Sequence, residues 1–267
     1  MVPLFGLIIA LYAWPVINIL WLGVSDPELG LQNYELLFTK SSLVKILWTT
    51  IRVCLITTLF SVVIGYLIAY TMVHLVGRER NWMLTLVLIS FWVSVLVRAF
   101  SWLTLLGRNG LVNAALVGSG LVEEPISLIR NEFGVLIGMV HYMVPYAVLP
   151  LLANMQGIDH RVMDASRSLG AGPLLTFVRI YLPLTKPGVI AASLLVFIIS
   201  LGFYVTPALL GGGRVLMVAE YVSVQILITV QWGVAAMLAT LLLSGVFALL
   251  YIMSRFMKIG EVFGARP

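Results

Sequence analysis

The stretch that decides the fold covers residues 154–189 and reads NMQGIDHRVMDASRSLGAGPLLTFVRIYLPLTKPGV. Its first half, residues 159–169, consists of helix-forming residues with acids near the start, where a negative charge favours the helix dipole. Gly170 and Gly172 are expected to stop that helix, and Pro173 can open the next one at its first position. The pattern predicts two short helices joined by a glycine turn. A bare connector would not need this much structure, whereas a docking element for another protein would.

The composition of the whole chain places this stretch beside a membrane. Of 267 residues, 61% are hydrophobic and 10% are charged, and the mean hydropathy is +1.07. A soluble domain has about 45–50% apolar and about 25% charged residues. The single cysteine, Cys54, excludes an intramolecular disulfide and argues against a cysteine-built zinc site. These values exclude an ordinary cytosolic enzyme and a disordered protein, and they predict an integral membrane protein.

A helix that crosses about 30 Å of hydrocarbon needs about 20 largely apolar residues. Six segments meet this requirement, so the chain is predicted to be one all-α, polytopic transmembrane domain over residues 1–267. The spans are expected at approximately residues 2–22, 46–76, 82–106, 135–154, 189–210 and 233–257. The first is interpreted as a retained helix rather than a signal peptide, because no Lys or Arg precedes it. Within the loop 107–134, a short interfacial helix is expected over Leu111–Val117.

The distribution of charge predicts the orientation. Six spans put both termini on one side, together with the loops 77–81 and 155–188, the end of the last span and the tail from residue 258. That side has nine basic and four acidic residues, a net charge of +5, whereas the opposite loops have a net charge of −2. Cytoplasmic loops are enriched in Lys and Arg, so both termini and the loop 155–188 are expected in the cytoplasm. Arg52 and Arg98 lie inside predicted spans and supply the remaining +2.

The loop 155–188 contains a pattern that resembles the EAA loop of ABC-importer permeases, Glu-Ala-Ala-x3-Gly-x9-Ile-x-Leu-Pro. In this sequence the matching residues are Asp164-Ala165-Ser166, Gly170 and Ile180-x-Leu182-Pro183. Two positions depart from the pattern, with Asp in place of Glu and Ser in place of the second Ala. Both changes keep the character of the side chain, acidic in one case and small in the other.

Further segments resemble the spermidine/putrescine-type branch of these permeases. Residues 97–102 with 106–113 are similar to its third-helix region, and residues 205–212 are similar to its fifth-helix exit. The resemblance implies a type I importer permease of the bacterial inner membrane, with six helices and both termini in the cytoplasm. It also implies a second, homologous permease subunit, a dimer of ATP-binding subunits, an extracytoplasmic solute-binding protein and membrane lipid as partners. The family's coupling helix matches roughly Asp164–Gly170, so the candidate ATPase-coupling residues are Asp164, Ala165, Ser166, Arg167 and Gly170.

No enzymatic machinery is visible in the sequence. The chain has no G-x-x-x-x-G-K-[ST] motif that could hold phosphates. ATP and Mg are therefore expected in the partner ATPase, and no cofactor, metal or nucleic acid is expected on this chain. An ion-gradient-driven secondary transporter or channel subunit is the alternative. Such a protein should show intramembrane acids or paired halves of inverted topology, and a membrane-embedded enzyme should show a catalytic cluster; none is visible.

Candidate pathway residues come from polar and aromatic side chains within the predicted spans. A charge at the bilayer centre costs about 2.5–3.5 kcal/mol, so an arginine there faces protein or water. Aromatic rings near proline-containing helices could bind an amine through cation–π contacts of about 0.5–2 kcal/mol each, or could simply pack the bundle. His141 is expected to make a helix-to-helix hydrogen bond. The pathway candidates are Arg98, Trp92, Tyr142, Phe203, Tyr204 and Thr206.

The resemblance makes a polyamine the leading solute. That branch of the family is expected to have an acid just before the Thr-Pro of its fifth helix, but residues 201–205 read LGFYV and contain none. A carboxylate there would favour a polycation in a low-dielectric pathway. Another small organic solute, such as an amine, an amino-acid derivative or an opine-like compound, therefore remains open.

Overall fold

The computed structural model describes Leu7 and residues 9–256. Most of the start of the predicted first span and the tail with Lys258, Glu261 and Arg266 lie outside the described residues. Within them, every regular element is helical, as the sequence predicted.

A π-helical turn, Ile9–Ala13, leads into the first α-helix. In chain order, the helices of the described part are α1 (Trp14–Ser25), α2 (Gln32–Thr39), α3 (Ser41–His74), α4 (Arg78–Trp92), α5 (Val95–Leu106), α6 (Leu111–Gly118), α7 (Glu132–Gln156), α8 (His160–Ser168), α9 (Pro173–Leu184), α10 (Lys186–Leu201), α11 (Val205–Gly211), α12 (Val218–Leu227) and α13 (Trp232–Phe256). A second π-helical turn, Phe177–Tyr181, lies inside α9.

Three of these helices, α3, α7 and α13, are long and apolar enough to cross a membrane. Two further crossings are formed if each of two bent helix pairs counts as one span: α4 with α5–α6, bent by 97°, and α9 with α10, bent by 56°. The described part of the predicted first span is an apolar helix, Ala10–Ser25, that is shorter than a full crossing. The described residues therefore contain three to five candidate spans, and the predicted spans 46–76, 135–154 and 233–257 coincide with the long helices α3, α7 and α13.

The predicted span 82–106 is built from two helices, α4 and α5. The helix breaks at Val93 and Ser94, whose backbones are extended (ψ 122° and 138°). No proline or glycine marks this position, so the sequence gives no local breaking signal. The last carbonyls of α4 are instead satisfied by a side chain from α5, which is described below.

The predicted span 189–210 also contains two helices rather than one. The helix α10 ends at Leu201, and a new helix, α11, begins at Val205 after a turn at Gly202. Pro207 then lies in the first turn of α11, where no intrahelical donor is needed. A short helix is present where the interfacial helix over residues 111–117 is predicted, as α6.

The centre of the bundle is the contact between α3 and α7. A Cβ atom added at Gly65 would lie 2.8 Å from the Cβ atom of Ala147, so the two backbones approach as closely as small residues allow. Around this contact lies a core of buried side chains from α3, α7, α9 and α10, including Met72, Leu151 and Tyr181. The α3–α7 pair therefore packs against both residues 177–181 of α9 and the helix α10.

Candidate functional site

The segment between α7 and α10, residues 157–185, has the structure that its sequence predicts. Asp159 caps α8, and its side chain accepts a hydrogen bond from the backbone N–H of Arg161 at 2.9 Å. The chain reverses at Gly170, whose φ of +85° is a conformation that side-chain-bearing residues rarely adopt. Pro173 opens α9 at its first position. We call residues 157–185 the coupling segment.

The five candidate coupling residues do not share one environment. Asp164, Ala165, Arg167 and Gly170 are exposed, and a loose ion pair of 3.8 Å joins the first and third of these side chains. Ser166 is only 5% exposed, and its hydroxyl lies 3.0 Å from the hydroxyl of Thr176 on α9. Ser166 therefore holds α8 against α9, while the other four residues face outward.

The outer face of the coupling segment combines apolar and basic side chains. Leu169 is 89% exposed at the glycine turn. Exposed apolar and basic neighbours on the same segment are Val162, Leu174, Leu175, Val178, Arg161, Arg167 and Arg179. An exposed apolar patch rimmed by polar residues is typical of a protein-binding surface.

The inner face of the coupling segment is joined to α3 by aromatic rings. The ring of Tyr70 meets the rings of Phe177 and Tyr181 edge-on, with centroids 5.7 and 5.4 Å apart. The tilted ring of His74 lies 4.3 Å from that of Tyr70, and Phe177 stacks on Tyr181 at 5.8 Å. The Tyr66 hydroxyl lies 3.2 Å from the Thr185 hydroxyl. The coupling segment is therefore in direct contact with α3.

A second group of side chains lies within the membrane-spanning helices, beside the break between α4 and α5. Tyr142 and Tyr146 on α7 stack at 5.7 Å with their hydroxyls 3.5 Å apart. Phe203, in the turn after α10, packs on Tyr142 at 4.5 Å, and Phe91 at the end of α4 meets Tyr146 edge-on at 4.9 Å. We call these four rings, together with Arg98, the membrane cluster.

Arg98 connects this cluster to the helix break. Its guanidinium donates hydrogen bonds to the carbonyls of Ser90 and Val93, the second at 3.0 Å. The same guanidinium lies over the Tyr142 ring, 4.8 Å from the centroid, and the residue is 9% exposed. Arg98 therefore replaces the backbone donors that α4 loses at its end and places a positive charge on the aromatic cluster.

Three of the six pathway candidates, Arg98, Tyr142 and Phe203, come together in this way, and three do not. Trp92 is 89% exposed at the outside of the break, and Tyr204 is half exposed. Thr206 is buried on α11 against Gly138 of α7, where an added Cβ atom would lie 2.5 Å from the Thr206 methyl group. Thr206 thus serves the packing of α11 on α7.

The predicted helix-to-helix hydrogen bond of His141 is confirmed. Trp102 Nε1 on α5 donates to His141 Nδ1 on α7 at 3.0 Å. Two members of the membrane cluster, Phe91 and Tyr146, are absent from the list of six candidates. Both belong to the wider set of aromatic residues in the predicted spans that could line a cavity. Tyr146 follows Tyr142 by one helical turn, so the two are expected on the same face. The contact between Phe91 and Tyr146 joins two helices, and only the structure shows it.

The described residues contain no group of three or more His, Cys, Asp or Glu side chains that could hold a metal ion. The chemistry of both regions is therefore that of contact surfaces, aromatic faces and one buried positive charge.

Residues 61–258 match the family model described as "binding-protein-dependent transport system inner membrane component". The chain belongs to this family. It is a multi-pass membrane protein and a permease subunit of an ABC importer. The family consists of transport permeases rather than enzymes, and the EAA loop is part of its pattern, so the resemblance drawn from the coupling segment is confirmed.

Relatives with known names show the same relationship. The chain is 34% identical over 202 residues to the spermidine/putrescine transport system permease protein PotB of Haemophilus influenzae, covering 76% of this chain and 70% of the relative. It is 32% identical over 209 residues to PotB of Escherichia coli, covering 78% and 76%. It is also 26% identical over 230 residues to the Escherichia coli inner membrane ABC transporter permease protein YdcU, covering 78% and 72%.

Solved structures support the fold. A bacterial alginate ABC transporter, crystallised in complex with an alginate pentasaccharide-bound periplasmic protein, matches with a TM-score of 0.75 at 16% identity, covering 95% of this chain and 92% of that chain. A crystal structure of a bacterial ABC transporter that imports alginate matches with a TM-score of 0.73. At this identity the likeness concerns the fold alone.

Proposed function

We propose that this permease forms half of a translocation pathway and is driven by a separate ATPase dimer that docks on the coupling segment. The observation that carries this proposal is the geometry of α8, Gly170 and α9. Their outer face presents apolar and basic side chains, and their inner face is joined to α3 through Tyr70. An ATPase bound to the outer face of the coupling segment would therefore be mechanically connected to the spanning helix α3.

The proposed topology has six spans, with both termini and the coupling segment in the cytoplasm. The charge distribution supports it, with a net charge of +5 on the proposed inner side and −2 on the outer side. The partners in this arrangement are a second, homologous permease subunit and an extracytoplasmic solute-binding protein. ATP and Mg are bound by the ATPase, and the permease lies in a bacterial inner membrane.

The proposed solute is a polyamine or a related small organic molecule. Two relatives with more than 30% identity are named as spermidine/putrescine permeases. The aromatic faces of the membrane cluster suit an ammonium group, because each ring attracts a cation. Arg98 in the same cluster favours a second candidate, a solute that also carries a carboxylate, such as an amino-acid derivative.

Uptake of radiolabelled putrescine and spermidine tests the solute. Cells that lack their own polyamine importers would be supplied with this chain, its second permease, its ATPase and its binding protein. We expect uptake that depends on the chain and is inhibited by unlabelled polyamine. If only a carboxylate-bearing solute inhibits the transporter's ATP-dependent uptake, the polyamine assignment is wrong.

Gly170→Asp tests the coupling segment. A side chain at φ +85° is strained, and the added charge lies at the exposed turn between α8 and α9. We expect normal amounts of protein in the membrane and at least a tenfold loss of uptake. Ala171→Asp, one residue further along, is the matched control for an added charge without that backbone strain. Full uptake by Gly170→Asp, with normal ATPase association, would contradict the coupling assignment.

A further inference from the structure

An open apolar groove runs along the outside of the bundle between α3, α4 and α7, with a volume of about 670 Å³. Its walls include Phe60 and Ile64 from α3, Val87 from α4, and Ile137 and Val140 from α7. The polar groups in the wall are already engaged: the Ser90 hydroxyl donates to the Val87 carbonyl, and His141 Nδ1 accepts from Trp102. The groove therefore offers almost only apolar contact.

The groove is long. On α7 its lining runs from Phe133 to Pro145, which is about 18 Å of helix at 1.5 Å per residue. Half of the hydrocarbon core of a bilayer is about 15 Å thick, so the length of the groove matches one acyl chain.

An ion pair stands at the end of the groove that is remote from the coupling segment. Arg52 of α3 donates to the carboxylate of Glu132, and Glu132 directly precedes Phe133 of the groove wall. Both side chains remain partly exposed, by 47% and 30%. Trp48, one helical turn before Arg52, is exposed as well, and exposed tryptophans are typical of the membrane–water interface. The pair therefore lies near the level of lipid headgroups, with a charge of each sign available from outside.

We propose that this groove binds one zwitterionic phospholipid from the leaflet opposite the coupling segment. The headgroup phosphate contacts Arg52, the headgroup ammonium contacts Glu132, and one acyl chain lies along the groove. Exposed charged side chains on membrane helices are stabilised by polar or charged partners, and a zwitterionic headgroup supplies a positive and a negative group. The apolar walls below the pair supply the matching surface for the tail.

The test counts lipids on the full-length chain. The purified chain is incubated with an equimolar mixture of phosphatidylethanolamine and phosphatidylglycerol, and bound lipid is measured by native mass spectrometry. We expect Val140→Trp, which fills the groove, to carry one phospholipid fewer per chain than the wild type. Ile64→Trp fills it from α3 and should do the same. Leu59→Trp, at an exposed position of α3 outside the groove, should bind as the wild type does.

The headgroup is tested separately. We expect the wild type to retain phosphatidylethanolamine above its share in the mixture, and the double variant Arg52→Gln, Glu132→Gln to lose this preference while still binding lipid. Equal lipid counts for Val140→Trp, Ile64→Trp and Leu59→Trp would overturn the proposal. A disulfide between Ile137→Cys and another protein chain in intact membranes would also overturn it, because a protein would then occupy the groove. These readouts do not depend on uptake, so they stay separate from the proposed solute.

Discussion

The coupling segment and the membrane cluster are built in opposite ways. The helix ends and the turn of the coupling segment are each set by a residue at that position. Asp159 caps a helix, Gly170 turns the chain and Pro173 starts the next helix. The membrane cluster is assembled from α4, α5, α7 and the turn after α10, and none of its contacts is local to one helix except that between Tyr142 and Tyr146. One region is therefore specified locally and the other by long-range packing.

This difference predicts that one residue change can dismantle the membrane cluster. Arg98→Ala removes the donors to Ser90 and Val93 and the cation on Tyr142 together. We expect at least a tenfold loss of polyamine uptake, the largest effect among these variants within the membrane, because the partly buried carbonyls at the helix break lose their partner. Arg98→Lys should be intermediate, since one ammonium keeps the charge but lacks the forked geometry.

The control for Arg98 is Arg255→Ala, an exposed arginine near the end of α13. Uptake by this variant should stay near the wild-type level. If Arg98→Ala transports normally while its amount in the membrane is unchanged, the cluster is not part of the pathway.

The aromatic connection between the coupling segment and α3 should give the next largest effect. Tyr70→Ala removes the edge-on contacts with Phe177 and Tyr181, each worth about 0.5–1.5 kcal/mol beyond burial. We expect uptake to fall several-fold while ATPase association persists. Tyr70→Phe keeps the ring and should transport normally; a loss as great as that of Tyr70→Ala would show that the hydroxyl, rather than the ring contacts, is needed.

Loss of the hydrogen bond between Ser166 on α8 and Thr176 on α9 should have a smaller effect, on stability alone. Ser166→Ala leaves the buried Thr176 hydroxyl without its partner and should cost about 1–3 kcal/mol of unfolding free energy. Adding Thr176→Val should recover most of that loss, because both polar groups are then gone. Thermal unfolding in detergent measures both. A double variant that is less stable than Ser166→Ala would contradict the role of this pair.

The smallest effect should be a pH dependence of stability that arises from Glu220, a residue outside both regions. Burial raises the pKa of Glu220, in the first turn of α12, from 4.5 to about 7, although a backbone hydrogen bond from Met217 opposes the shift. The folded state then holds a proton that the unfolded state has lost between pH 4.5 and 7. Stability should therefore fall as pH rises through that window and level off above it.

Glu220→Gln should remove this slope, as measured by melting temperatures from pH 5 to 8. Glu35→Gln, an acid in the first turn of α2, is a matched control that should keep the slope. An unchanged slope in Glu220→Gln would assign the pH dependence to other groups.

The contrast also explains what could be predicted from the sequence. The helical class, the long spans α3 and α7, and the helix–turn–helix of the coupling segment follow from apolar length, capping acids, glycine and proline. The break at Val93 could not be predicted, because no proline or glycine marks it and the Arg98 side chain that binds the carbonyls there lies on the next helix. The sequence predicts Thr206 as a pathway residue, but only the structure shows that it packs against Gly138 on another helix. Such contacts join residues that are far apart in the sequence, so no local pattern predicts them.

The close contact between Gly65 and Ala147 has a mechanical meaning for a transporter. A methyl group added at Gly65 would clash with Ala147, so the two helix backbones are in close contact there. We therefore expect α3 and α7 to move together as one unit when the coupling segment moves. Alternation between inward-open and outward-open shapes would then bend the chain where helices already end, at Val93, at Gly202 and at Thr185.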